Sequence, residues 1–272
     1  MIFMEKRLSY ALFLIGFAAL IGQVLLIREL LVIWTSLGSL TLGKKADAVQ
    51  NKRRIFALVQ LLLSLLLPAS IVIVRLSKSI WDIPVGEIVD PLTMITISFV
   101  ILAPFCFFSG FLFALGCGLH SETTGARGRA AGVVYLLEAL GSGAGGVLFT
   151  AVFMHRLNHL QTSFIVSGLL VISAVFLCTH GASGIRRTRV WMWLTGALLS
   201  GFFLIMAIQG HTLEMASRAW VWRGYHLVGS ADTPYGNLAA IQAGGSNLAH
   251  VGGQVSFYEN GLWMFTVPDI RA

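Results

Sequence analysis

Three ionisable residues stand where hydrocarbon would surround them: Arg28 and Glu29 deep in the first apolar run, and Glu138 in the middle of AGVVYLLEALGSGAGGVLF. An ionised group inside a bilayer is expensive and ordinarily faces a partner or a water-filled cavity. A cross-helix pair between Arg28 and Glu138 would neutralise one charge of each sign, whereas Arg28 and Glu29, as sequence neighbours, project in different directions from one helix. A buried brace is the preferred reading of this set. A polar lining for a solute or proton path comes second, and snorkelling of Arg28 to a helix end third.

Other groupings carry less chemistry. His155 and His159 are spaced i, i+4, as two metal ligands on one helical turn would be, but only Arg156 and Asn158 accompany them, so no metal is expected. GSGAGG has the glycine content of a phosphate loop, yet no strand precedes it and no GK[ST] follows. Gly141, Ser142, Gly143, Gly145 and Gly146 fit small-xxx-small helix packing instead, since they let another backbone approach closely. Cys106, Cys117 and Cys178 lie in apolar runs without a CxxC partner and read as small hydrophobes, not as disulfides or ligands. No Ser-His-Asp or Cys-His grouping can be assembled, so no catalytic residue is assigned.

The elements that would position these residues are membrane spans. A soluble domain is roughly a quarter charged; this chain is 11% charged and 56% hydrophobic, with a mean hydropathy of +0.81. Apolar runs cover 8–34, 55–76, 92–119, 131–153, 160–179 and 190–209, six stretches near the length that crosses a bilayer core. Pro68 and Pro104 fall inside two of them and read as kinks.

The net charge of +7 does not point to nucleic acid, because the cations sit in short connections. Lys44, Lys45, Lys52, Arg53 and Arg54, then Arg127 and Arg129, then Arg186, Arg187 and Arg189 mark every second connection, which makes those three cytoplasmic. The alternate connections, 77–91 and 154–159, fall on the other side, and the same parity sends everything after Gln209 outward. Lys6 and Arg7 favour an inside N-terminus, which conflicts with that parity unless the chain crosses twice before Lys44; Leu31 to Gly43 is too short for a second full span. A basic start before an apolar stretch also begins a signal peptide, but the run continues past Leu31 without a small-residue cleavage site, so an uncleaved first helix is expected.

From His211 to Tyr225, charges mix with Trp220, Trp222 and Tyr225, aromatic types that favour the headgroup level. After Pro234 come LAAIQA, a Gly-rich connection, QVSFYE, Asn260-Gly261 and LWMFTVP. Asn-Gly between strand-like runs is the strongest short hairpin signal, because both residues tolerate the positive φ of a type I′ turn. The expected fold is therefore mainly α: a polytopic transmembrane bundle of six spans over 1–209, an interfacial connector over 210–229, and a three-stranded antiparallel β-meander over 230–272. Three strands alone are marginally stable and call for a partner.

Two stretches carry a resemblance: LIGQVLLIREL with YLLEALGSGAGGVLF in the membrane part, and ADTPYGNLAAIQAGGSN with QVSFYENGLWMFTVPD at the end. They resemble membrane-anchored spermidine synthase-like proteins of the polyamine aminopropyltransferase family. In that family a helix bundle precedes a β-meander that continues into a Rossmann-like domain. The resemblance implies aminopropyl transfer from decarboxylated S-adenosylmethionine, as co-substrate, to putrescine. It carries Tyr235 and Asp269 over as substrate-binding positions. The chain departs from the soluble enzymes at Gly236 and Met264, each standing where they have Gln, and at Ile270, where they have Glu.

The chain also reaches Ala272 before the nucleoside-binding part, and relatives have a second helix after the RELL stretch that is missing here, which would account for the topology conflict. It is expected to be inactive alone and to bind no cofactor itself. The expected location is the bacterial inner (plasma) membrane, with the lipid bilayer, a separate catalytic domain and a second copy joined through β edges as partners. A scaffold for another catalytic chain and a small-solute transporter are the alternatives.

Overall fold

The computed structural model describes residues 31–44, 51–81, 90–125, 127–180, 186–222, 225–233, 236–243 and 254–268. Helix α1 is described over 31–44. It is followed by α2 (Lys52–Ile80), α3 (Pro91–Thr124) and α4 (Arg127–Leu148), which runs on through a π-turn at Phe149–Phe153 to a last turn at Met154–Arg156. Then come α5 (His159–His180), α6 (Arg186–Ile208) and the short α7 (Gly210–Val221). Local chemistry fixes the ends of α3. The Asp90 carboxylate accepts from the backbone N–H groups of Leu92 and Thr93, Pro91 occupies the first turn, and Gly125 closes the helix with a φ of 70°.

Among the described residues five helices are long and apolar enough to cross a membrane: Lys52–Ser77, Leu92–Glu122, Gly128–Arg156, His159–Thr179 and Val190–Ile208. This is a membrane protein. Five of the six expected spans are thus found among the described residues; the other, 8–34, lies outside them up to residue 30, and its end is the beginning of described α1. Most of the surface of these spans is uncovered, with a third or less of each apolar window buried. That is how helices face lipid, where no hydrophobic force drives them together and packing decides.

Neighbouring helices follow the order α4, α3, α2, α5, α6. Helix α1 lies on α3 at very short range. A Cβ built on Gly38 would stand 1.8 Å from the Phe107 carbonyl oxygen, and one on Gly110 would stand 1.9 Å from that of Thr35. The two backbones therefore touch, and only glycine fits at either position. Trp34 fastens the same contact: its indole N–H donates to the Phe99 carbonyl at 3.0 Å while the rings lie 4.9 Å apart.

The C-terminal part is an antiparallel sheet of four strands in the order β1 (Tyr225–Thr233), β2 (Gly236–Ala243), β3 (Gln254–Glu259) and β4 (Leu262–Pro268). Three strands were expected. The extra one, β1, comes from YHLVGSADT, where Gly229, Ser230 and Asp232 dilute the apolar alternation and a bulge between Leu227 and Gly229 breaks its period. Asn260 at φ 53° and Gly261 at φ 84° turn β3 into β4. Trp222, at the end of α7, is buried against Ala239 and Ile241, with its ring 4.8 Å from that of Tyr258. Burial, and then the nearby Tyr225 phenol, push the Tyr258 hydroxyl above its ordinary pKa.

Candidate functional site

The most highly organised set of charges joins the bundle to the sheet. Arg75 lies in the last turns of α2, and Glu214 and Arg218 are i, i+4 neighbours on α7, the spacing that brings two side chains together on one helical face. Glu214 Oε1 accepts from Arg75 Nη2 at 2.5 Å, from Arg218 Nη2 at 2.6 Å and from Arg218 Nε at 2.8 Å. Arg75 Nη1 also donates to Ser217 Oγ at 2.5 Å. On the sheet side Arg218 Nη1 donates to Ser230 Oγ, whose hydroxyl donates to the Leu238 carbonyl at 3.0 Å.

All three ionised side chains are nearly sealed from solvent, with 13%, 6% and 10% of Arg75, Glu214 and Arg218 exposed. The Glu214 carboxylate is held through Oε1 between two guanidiniums, while its Oε2 is buried with no hydrogen-bond partner among the described residues. It acts as a clamp that fixes the end of α2, the face of α7 and the first strand of the sheet relative to one another. Gln161 at the start of α5 adds a second tie, donating to the Ala207 carbonyl at 3.2 Å beneath α7, where a Cβ on Gly210 would meet it at 2.2 Å.

Glu138, singled out in the sequence, is exposed on α4 and borders a cavity of about 560 Å³ with Thr35, Ser36 and Ser39 of α1, Ser109 of α3 and Tyr135. Its proposed partner Arg28, together with Glu29, Tyr235 and Asp269, lies outside the described residues. Gly141, Ser142, Gly145 and Gly146 are exposed, and a Cβ built on any of these glycines meets nothing within 4 Å among the described residues. No cluster of three or more His, Cys, Asp or Glu that could hold a metal occurs among the described residues.

Arg75, Glu214 and Arg218 are not singled out by the sequence, although Arg75, like Arg28, is a cation inside an apolar run. Its partner, at a separation of 139 residues, had no sequence signal beyond the i, i+4 pairing on α7. No protein-family model, no curated protein and no solved structure matches the chain.

Proposed function

We propose that the chain is the membrane and β-sheet portion of a spermidine synthase-like transferase of the bacterial inner membrane, serving as the anchor on which a nucleoside-binding domain is seated. The observation that carries this reading is the sheet itself. It is held to the bundle by the Arg218–Ser230 contact, yet its edge strand β4 presents Leu262, Trp263, Met264 and Phe265 to solvent, with Trp263 59% exposed. Phe265 stacks on Phe257 at 4.9 Å, which extends the uncovered apolar area onto β3. An edge strand of this composition is a template for pairing and ordinarily carries a partner. In this reading the partner supplies the site for decarboxylated S-adenosylmethionine, and the anchor supplies position.

Isothermal titration tests it, with decarboxylated S-adenosylmethionine added to the nanodisc-embedded chain and, separately, to the chain extended by the coding sequence that follows Ala272. Binding by the extended form alone is the expected result. Absence of binding by both would remove the transferase reading and leave a scaffold for a separate chain, or a second copy paired through β4, as the use of the sheet.

A transporter reading rests on one specific observation, the hydroxyl-lined cavity beside Glu138 in the middle of a span. It requires Glu138→Gln to abolish a solute or proton flux in proteoliposomes. Proteoliposomes with no flux above empty vesicles would end that reading.

A further inference from the structure

On the face of the bundle opposite the sheet, a groove of about 490 Å³ opens between α2, α5 and α6. Its mouth is formed by Arg53 and Arg54 in the first turn of α2, and its walls by Leu58, Leu61, Val175 and Met192. From Arg53 to Leu61 the helix rises about 12 Å, so the groove passes from headgroup depth into hydrocarbon depth along one side of α2.

The neighbouring cation has a different fate. Lys52 is buried and bound to Glu122 at 2.7 Å, whereas Arg53 and Arg54 are exposed and have no carboxylate partner among the described residues. Two arginines that both line the mouth of an apolar cleft match an amphiphile with an anionic head, because the planar forks of arginine suit phosphate oxygens and the walls suit an acyl chain. The leaflet on the side of the basic connections is the one rich in anionic lipid.

We propose that this groove is a binding site for the phosphate headgroup and one acyl chain of an anionic phospholipid. The lipid would complete the wall between α2 and α6, which meet through α5.

Native mass spectrometry of the full chain released from nanodiscs of mixed phosphatidylglycerol and phosphatidylcholine tests the assignment. The wild-type chain is expected to retain phosphatidylglycerol over phosphatidylcholine. Retention is expected to fall roughly tenfold or more in Arg53→Gln/Arg54→Gln. It is expected to persist in Lys44→Gln/Arg129→Gln, which removes the same charge from the same face outside the groove.

Equal loss in both variants would reduce the effect to bulk surface charge and overturn the proposal. So would displacement of the lipid by millimolar inorganic phosphate, since a site satisfied by the free anion makes no use of the acyl chain. A photoactivatable phosphatidylglycerol provides a measurement on the unmutated chain: adducts are expected within 53–61, 174–178 and 192–195, and adducts confined elsewhere would also overturn it.

Discussion

Glu214 concentrates three N–H donors from two arginines on one oxygen, Oε1. Burying such a set is costly, and removing the Glu214 carboxylate takes from the buried Arg75 guanidinium the anion that it meets at 2.5 Å. Glu214→Gln is therefore expected to destabilise the chain by roughly 3–5 kcal/mol, read from thermal unfolding in detergent. Replacing Arg75, Glu214 and Arg218 together by apolar residues of similar size is expected to cost less than the single change, and the opposite order would show that the clamp does not depend on charge. The clamp could be half seen in the sequence. A cation inside an apolar run is visible as an anomaly, but no local pattern names a carboxylate on a helix 139 residues away.

At the scale of elements, the glycines show why composition and contact differ. GSGAGG is the most glycine-dense stretch of a span and touches nothing among the described residues, while the isolated Gly38 and Gly110 bring two backbones together. Spacing reveals that a helix has a flat side; what lies against that side is decided by the rest of the bundle.

The close approach can be tested through Gly43 and Ala114 on the same interface, where a Cβ on residue 43 would stand 3.1 Å from that of Ala114. Cysteines at positions 43 and 114 are expected to form a disulfide in a background without the native cysteines, and adding Gly110→Leu is expected to prevent it. Undiminished cross-linking would mean that α1 and α3 do not need backbone contact. The strands divide in the same way. The Asn260-Gly261 hairpin was legible because its turn demands positive φ at both residues, whereas β1 was missed because its polar residues and bulge erase the period of two.

For the whole molecule, the contacts show which of the described helix ends lie together. Lys52 meets Glu122, and the groove joins the start of α2 to the end of α5, so the start of α2 and the ends of α3 and α5 gather on one side. Arg75 and Gln161 meet α7 and the end of α6 at the other end of the bundle, where the sheet is attached. A single cysteine at position 265, in the same cysteine-free background, is accordingly expected to react with a membrane-impermeant maleimide added to intact cells. Protection until the cells are opened would put the sheet in the cytoplasm, alongside the pool of decarboxylated S-adenosylmethionine that the proposed reaction requires.

The distance in sequence between Arg75 and its anion also sets a clock. At a synthesis rate of about 5–20 residues per second, the ribosome needs roughly 7–28 s to travel the 139 residues from Arg75 to Glu214. For that interval Arg75 waits at the end of α2 without Glu214, and its long stem lets the guanidinium reach the headgroups. The sheet's anchor point thus closes only after all five described spans have been synthesised.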